Sequence, residues 1–75
     1  GGGSIAAASP VWVAVDYYNR AASRDPDVAS QARQKASSYS RYFPCRQDAL
    51  FEGMREGQAY TTPQGVRTTV RVRTC

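Results

Sequence analysis

The most consequential absence from this 75-residue chain is histidine, of which the sequence has none. Histidine is the commonest general base and the commonest metal ligand, so its absence argues against most acid–base and metal-dependent catalysis. No glycine-rich loop has the spacing that cradles phosphates. The sequence therefore predicts a protein that is not an enzyme and that has no catalytic residue, cofactor or metal site.

Long apolar runs are also absent. No stretch approaches the roughly 18 consecutive apolar residues that a membrane-spanning helix needs, so no membrane span is expected. A chain of 75 residues forms one small domain at most, and its core gives only marginal stability unless a crosslink adds to it. Residues 1–4 are typical of a cloning linker, so the predicted domain spans residues 5–75.

Acidic residues are few and scattered. Asp48, Glu52 and Glu56 do recur at four-residue intervals, which would place them on one helix face. Such a row could hold a metal ion or perform acid–base chemistry, or it could be a solvated face paired with a residue such as Arg55. The pattern favours the solvated face.

Helical periodicity dominates the first half of the chain. A serine–proline pair at residues 9–10 predicts a helix start, with serine as the N-cap and proline in the first turn. The first helix is then expected over about residues 10–24. Because Trp12, Val13 and Tyr17 lie outside its main apolar stripe, this helix should be covered on two sides. We expect these three residues to form a protein-binding surface, covered by preceding repeats of a parent chain or by a second copy.

The second half of the chain predicts two further helices and a hairpin. Residues 25–26 repeat the helix-start signal, so the second helix is expected over 26–42 and a shorter third helix over 46–54. A strict alternation near the end predicts a β-hairpin over about residues 58–74 with a turn at 62–65. The hairpin residues expected to pack on the helices are Tyr60, Val70 and Val72.

The helical half has the spacing of a tetratricopeptide repeat, and the second half has short motifs in a matching order. The repeat positions are Ala14, Tyr18, Ala21, Pro26, Ala36 and Tyr39, and the motifs occupy residues 42–44, 48–51, 56–61 and 68–71. Together they resemble the C-terminal region of tetratricopeptide-repeat-like proteins from Bacteroidetes, over roughly residues 5–74. The hairpin loop at residues 63–65 is shorter than the family's glycine- and tryptophan-bearing loop, so any binding feature of that loop is missing here.

The predicted fold class is α+β: an antiparallel, tetratricopeptide-like helix pair, a short third helix and a C-terminal β-hairpin packed on the helices. The resemblance implies a non-catalytic protein-interaction or structural module, a scaffold at the C-terminal end of a longer helical-repeat protein. Its expected partner is another protein or the N-terminal repeats of the parent chain.

An alternative function is binding of anions or nucleic acid through the final strand. Arg67, Arg71 and Arg73 alternate onto one strand face, and residues 57–75 contain no acidic side chain. Interleaved arginines of this kind can contact phosphates. The competing interpretation is an outward sheet face that its charges keep soluble and unpaired.

Four tyrosines and two cysteines complete the candidates. The tyrosines, which are either a binding groove or simply core and rim, are Tyr17, Tyr18, Tyr39 and Tyr42. Cys45 and Cys75 could form a disulfide, or they could be two free thiols. A disulfide would indicate an oxidising compartment, such as a bacterial cell envelope or periplasm.

Overall fold

Over residues 4–75, which the computed structural model describes, three α-helices precede a two-stranded antiparallel sheet. The elements are α1 (Ser4–Arg24), α2 (Ala29–Ser38), a 3₁₀ helix (Tyr39–Tyr42), α3 (Arg46–Phe51), β1 (Ala59–Thr61) and β2 (Arg67–Thr69). This order confirms the predicted α+β class and the C-terminal hairpin. The predicted linker residues 1–3 lie outside the described part of the chain, whereas residue 4 begins α1 rather than ending a linker.

Helix α1 begins about two turns before the predicted start at residue 10. Pro10 lies inside the helix, where proline lacks the N–H that would bond to the carbonyl of Ala6, four residues earlier. The buried hydroxyl of Ser9 donates to that same carbonyl at 2.8 Å. Ser9 is therefore not an N-cap; its side chain replaces the hydrogen bond that Pro10 removes. The early turns are retained because Ile5 is packed in the core at 1% exposure.

Helices α1 and α2 form an antiparallel pair. Tyr18 lies in α1 before the connecting loop, and Tyr39 lies just after the end of α2. Their rings nevertheless stack with centroids 6.1 Å apart, so α2 runs back along α1. The buried residues along this seam are small, namely Ala22, Ala32 and Ala36. Small side chains of this kind let the two backbones approach closely.

The loop between α1 and α2 is longer than predicted, so α2 begins at Ala29 rather than at Pro26. The carboxylate of Asp25 accepts the backbone N–H of Asp27 at 3.0 Å, and the Asp25 carbonyl accepts the N–H of Val28 at 3.2 Å. Asp25 thus caps a turn that contains Pro26, and this turn leads into α2 without belonging to it.

Helix α3 is a six-residue helix that ends at Phe51 rather than near Met54. Gly53 has a left-handed φ of 76°, its N–H donates to the Leu50 carbonyl, and the N–H of Met54 donates to the Ala49 carbonyl. This pair of bonds is the Schellman motif, which closes a helix with a glycine just beyond it. The glycine therefore fixes the end of α3 earlier than the apolar pattern predicts.

The predicted hairpin turn is confirmed. The N–H of Gly65 donates to the Thr62 carbonyl at 2.8 Å, and the N–H of Thr62 donates to the Val66 carbonyl at 2.8 Å. Gly65 has a φ of 86°, the left-handed conformation that a three-residue hairpin loop requires at this position. The paired strands are only three residues each, with Tyr60 opposite Thr68.

The core joins residues from the helices and from the hairpin. Trp12 and Val70 are both 0% exposed, and they cluster with Ile5 and Ala49. The ring of Tyr60 meets the Trp12 indole edge to face at 5.4 Å between centroids. The prediction that Tyr60, Val70 and Val72 hold the hairpin on the helices is confirmed, since Tyr60 and Val72 pack against this cluster.

Ser9→Ala should destabilise the fold by about 1–3 kcal/mol, because the Ala6 carbonyl, at a part-buried site, would lose its donor. Urea denaturation measures this change. Ser23→Ala is the matched control: its hydroxyl also donates to a carbonyl within α1, but at an exposed site. Equal losses in the two variants would contradict the proposed role of Ser9.

Candidate functional site

The structure does not form the predicted protein-binding surface of Trp12, Val13 and Tyr17, because the three side chains are not exposed together. Trp12 is fully buried, Val13 is partly buried, and only Tyr17 is largely exposed, at 60%. From the sequence, the second apolar side of α1 is expected to be covered by a missing repeat or by a second copy. In the structure the chain's own hairpin covers that side, because the Tyr60 ring and Val70 pack with the indole.

The predicted arginine surface is also not formed, because Arg71 is engaged within the fold. Its Nη2 lies 2.7 Å from Oδ1 of Asp16, and its Nη1 donates to the Trp12 carbonyl at 3.3 Å. The hydroxyl of Thr68 donates to the other oxygen of the same carboxylate at 2.5 Å. Arg71 therefore neutralises Asp16 and ties the hairpin to α1.

Arg73 is likewise bound to the fold. Its Nε donates to the Phe43 carbonyl at 2.8 Å, and its Nη1 lies 3.0 Å from the Sγ atom of Cys75. Arg67 is exposed at the start of β2. The three arginines alternate along the chain as predicted, but their guanidinium groups do not form one free basic face.

Cys45 and Cys75 form a disulfide, the first of the two alternatives that the sequence leaves open. Two backbone hydrogen bonds hold the segments that carry the cysteines side by side. The N–H of Arg46 donates to the Arg73 carbonyl and the N–H of Arg73 donates to the Pro44 carbonyl, each at 3.0 Å. Cys45 and Arg73 thereby form an isolated parallel β-bridge just before α3, and this bridge brings Cys45 close to Cys75. The crosslink closes a loop with a sequence separation of 30 that contains α3 and the hairpin.

An exposed apolar surface on α3, which we call the α3 patch, consists of Leu50 and Phe51. Leu50 is 53% exposed and Phe51 is 91% exposed. A depression of about 500 Å³ lies next to Leu50 and is lined in part by Met54 and Val72. The sequence predicts a third helix here but gives no sign that Leu50 and Phe51 are exposed. Of the three consecutive apolar residues of α3, only Ala49 reaches the core.

Tyr17, Tyr18, Tyr39 and Tyr42 form a continuous series, which we call the tyrosine row. Successive ring centroids are 5.3, 6.1 and 6.4 Å apart. The row crosses the seam between α1 and the second helical segment. Its two ends are exposed, Tyr17 at 60% and Tyr42 at 58%, and its two middle rings are partly buried.

The acidic row of Asp48, Glu52 and Glu56 does not lie on one helix, because α3 ends at Phe51. Among the described residues no group of three or more histidine, cysteine or acidic side chains is placed to hold a metal ion. Within residues 4–75 no helix has the length and apolar character needed to cross a membrane.

Comparison with protein-family models, curated proteins and solved structures gives no match.

Reduction of the disulfide should lower the free energy of unfolding by about 3 to 4 kcal/mol, because the unfolded chain gains the entropy of an open loop. Urea denaturation with and without reductant measures this change. The Cys45→Ser/Cys75→Ser double variant should behave like the reduced protein. Alkylation of both cysteines in the folded, non-reduced protein would contradict the assignment.

The Asp16–Arg71 pair should show a coupling energy of about 1 kcal/mol in a double-mutant cycle of Asp16→Asn and Arg71→Met, since the two side chains are in direct contact. Both side chains are 23% exposed, so solvent screens the pair in part. The same cycle with Arg67→Met serves as the control and should give no coupling. A comparable coupling to Arg67 would mean that the measured energy reflects net charge rather than the contact.

Proposed function

We propose that this chain is a non-catalytic protein-interaction module, the C-terminal end of a helical-repeat protein, and that the α3 patch binds its partner. The observation that carries the proposal is the 91% exposure of Phe51 beside a half-exposed Leu50. Large apolar side chains that are adjacent and exposed mark contact sites on small soluble domains. Aromatic anchors of this kind supply much of the energy of protein interfaces.

The α3 patch is held on a rigid support. Ala49 anchors the inner side of α3 in the core, Gly53 closes its C-terminal end, and the Cys45–Cys75 disulfide fixes the segment that precedes it. A partner would therefore meet apolar side chains whose backbone is already ordered. Preorganisation of this kind lowers the entropic cost of association.

A concave depression lies beside Leu50, next to the α3 patch. Its apolar lining by Met54 and Val72 can receive one protruding side chain of a partner, while Phe51 inserts into the partner's surface. The charged residues Arg46, Arg55 and Glu56 also line the same depression. An apolar centre with a charged rim is the usual composition of a protein interface.

The resemblance to tetratricopeptide-repeat-like proteins supports the same class of function, because helical repeats present surfaces to partners and perform no chemistry of their own. The contacts of Arg71 and Arg73 favour this proposal over the alternative of an anion-binding strand. Both guanidinium groups already have protein partners, Asp16 for Arg71 and the Phe43 carbonyl for Arg73.

Phe51→Ser should abolish specific capture of partner proteins by the immobilised chain, because the substitution removes the most exposed apolar side chain without touching the core. Quantitative mass spectrometry of proteins retained from an extract of the source cells compares the variant with the unsubstituted chain. Hydrogen exchange of the complex should show new protection over α3.

Val66→Ser is the matched control for this experiment. Val66 is 44% exposed, and it lies next to the hairpin turn rather than on the α3 patch. This variant should retain the same proteins as the unsubstituted chain. If Phe51→Ser also retains them all, the α3 patch is not the interaction surface.

A further inference from the structure

We propose that the tyrosine row is a second interaction surface, separate from the α3 patch, and that its ligand is an acidic peptide segment with apolar side chains. The row is built by the antiparallel pairing of α1 with α2 and the 3₁₀ helix. Tyr17 and Tyr18 come from α1, and Tyr39 and Tyr42 come from the 3₁₀ helix. The surface therefore exists only in the folded helix pair.

The two end rings of the row are exposed and the two middle rings are partly buried, an arrangement that suits an extended ligand. The middle rings of Tyr18 and Tyr39 stack at an interplanar angle of 25° and support one another. The end rings of Tyr17 and Tyr42 remain more than half exposed. The hydroxyl groups of these two exposed end rings can donate to carboxylates or accept from backbone groups of a ligand.

An apolar groove of about 340 Å³ runs beside the Tyr17 end of the row. Its lining residues include Tyr17, Tyr18, Ala21, Val28, Ala32 and Lys35. Val28 is itself 37% exposed, so the groove floor is open to a ligand side chain. A groove lined by small and aromatic residues fits the apolar side chain of a peptide.

The charge around the row specifies an acidic ligand. Lys35 stands at the groove, and the guanidinium of Arg41 lies 5.8 Å from the Tyr42 ring centroid. Residues 28–47 contain no acidic side chain. The preceding acids in the sequence, Asp25 and Asp27, lie in the loop between α1 and α2. Basic groups at both ends of the row complement a negatively charged segment.

A peptide fits these observations better than single-stranded nucleic acid. Base binding uses free aromatic faces, whereas Tyr18 and Tyr39 already stack on each other. A phosphate backbone would also leave the apolar groove unused. The net charge of the whole chain is only +4, which gives a modest field for a polyanion.

Fluorescence anisotropy of a short labelled peptide of alternating glutamate and leucine tests the proposal. The chain should bind this peptide more tightly than a matched peptide of lysine and leucine, and added salt should weaken binding. The Lys35→Glu/Arg41→Glu variant should bind about tenfold more weakly, because like charges then face the ligand. Tyr17→Ser should also weaken binding, since it removes one wall of the groove.

Arg33→Glu/Arg67→Glu is the matched control: it makes the same change in net charge at two exposed residues outside the row and should bind nearly as well as the unsubstituted chain. Phe51→Ser should also bind normally, which separates this surface from the α3 patch. Circular dichroism and an intact disulfide verify that each variant is folded. The proposal is overturned by equal losses in the two charge variants, by equal binding of the two peptides, or by binding of oligothymidylate in place of the acidic peptide.

Discussion

The packing of the Trp12 indole against the hairpin is the interaction on which the rest of this structure depends. Strands of three residues do not form a stable hairpin in water without a supporting surface, and α1 provides that surface through Trp12. The burial has a cost: within the described residues the indole Nε1 has no hydrogen-bond partner. Loss of one hydrogen bond costs about 1–3 kcal/mol, and burial of so large a ring offsets it.

Polar and covalent contacts then fix the hairpin in one orientation on that apolar centre. The Asp16 carboxylate accepts from Thr68 on β2 and from Arg71 just beyond it, so both contacts hold the same segment to α1. Further along, the Cys45–Cys75 bond holds the end of the segment to the start of α3. Apolar burial provides stability, while the directional contacts select the arrangement. The hairpin's arginines are consequently part of its attachment to the helices.

The sequence predicts the order and type of the elements well, because periodicity and turn chemistry are local. The turn at Thr62–Gly65 follows from residue types alone, and the structure forms it as expected. The start of α1 cannot be predicted in this way. Ser9 and Pro10 have the composition of a helix start, but the helix begins earlier because Ile5 is buried in the core. The surfaces are still less predictable. Whether Trp12 or Phe51 is exposed depends on where a distant hairpin packs, and no local pattern encodes that.

The disulfide also determines how the molecule would respond to mechanical force. Tension applied between α1 and the C-terminus passes from Cys45 directly to Cys75 through the covalent bond. The loop that contains α3 and both strands lies outside this path, so stretching cannot extend it while the bond is intact. Forced extension would therefore unravel α1 and α2 and leave α3 and the strands within a closed covalent ring.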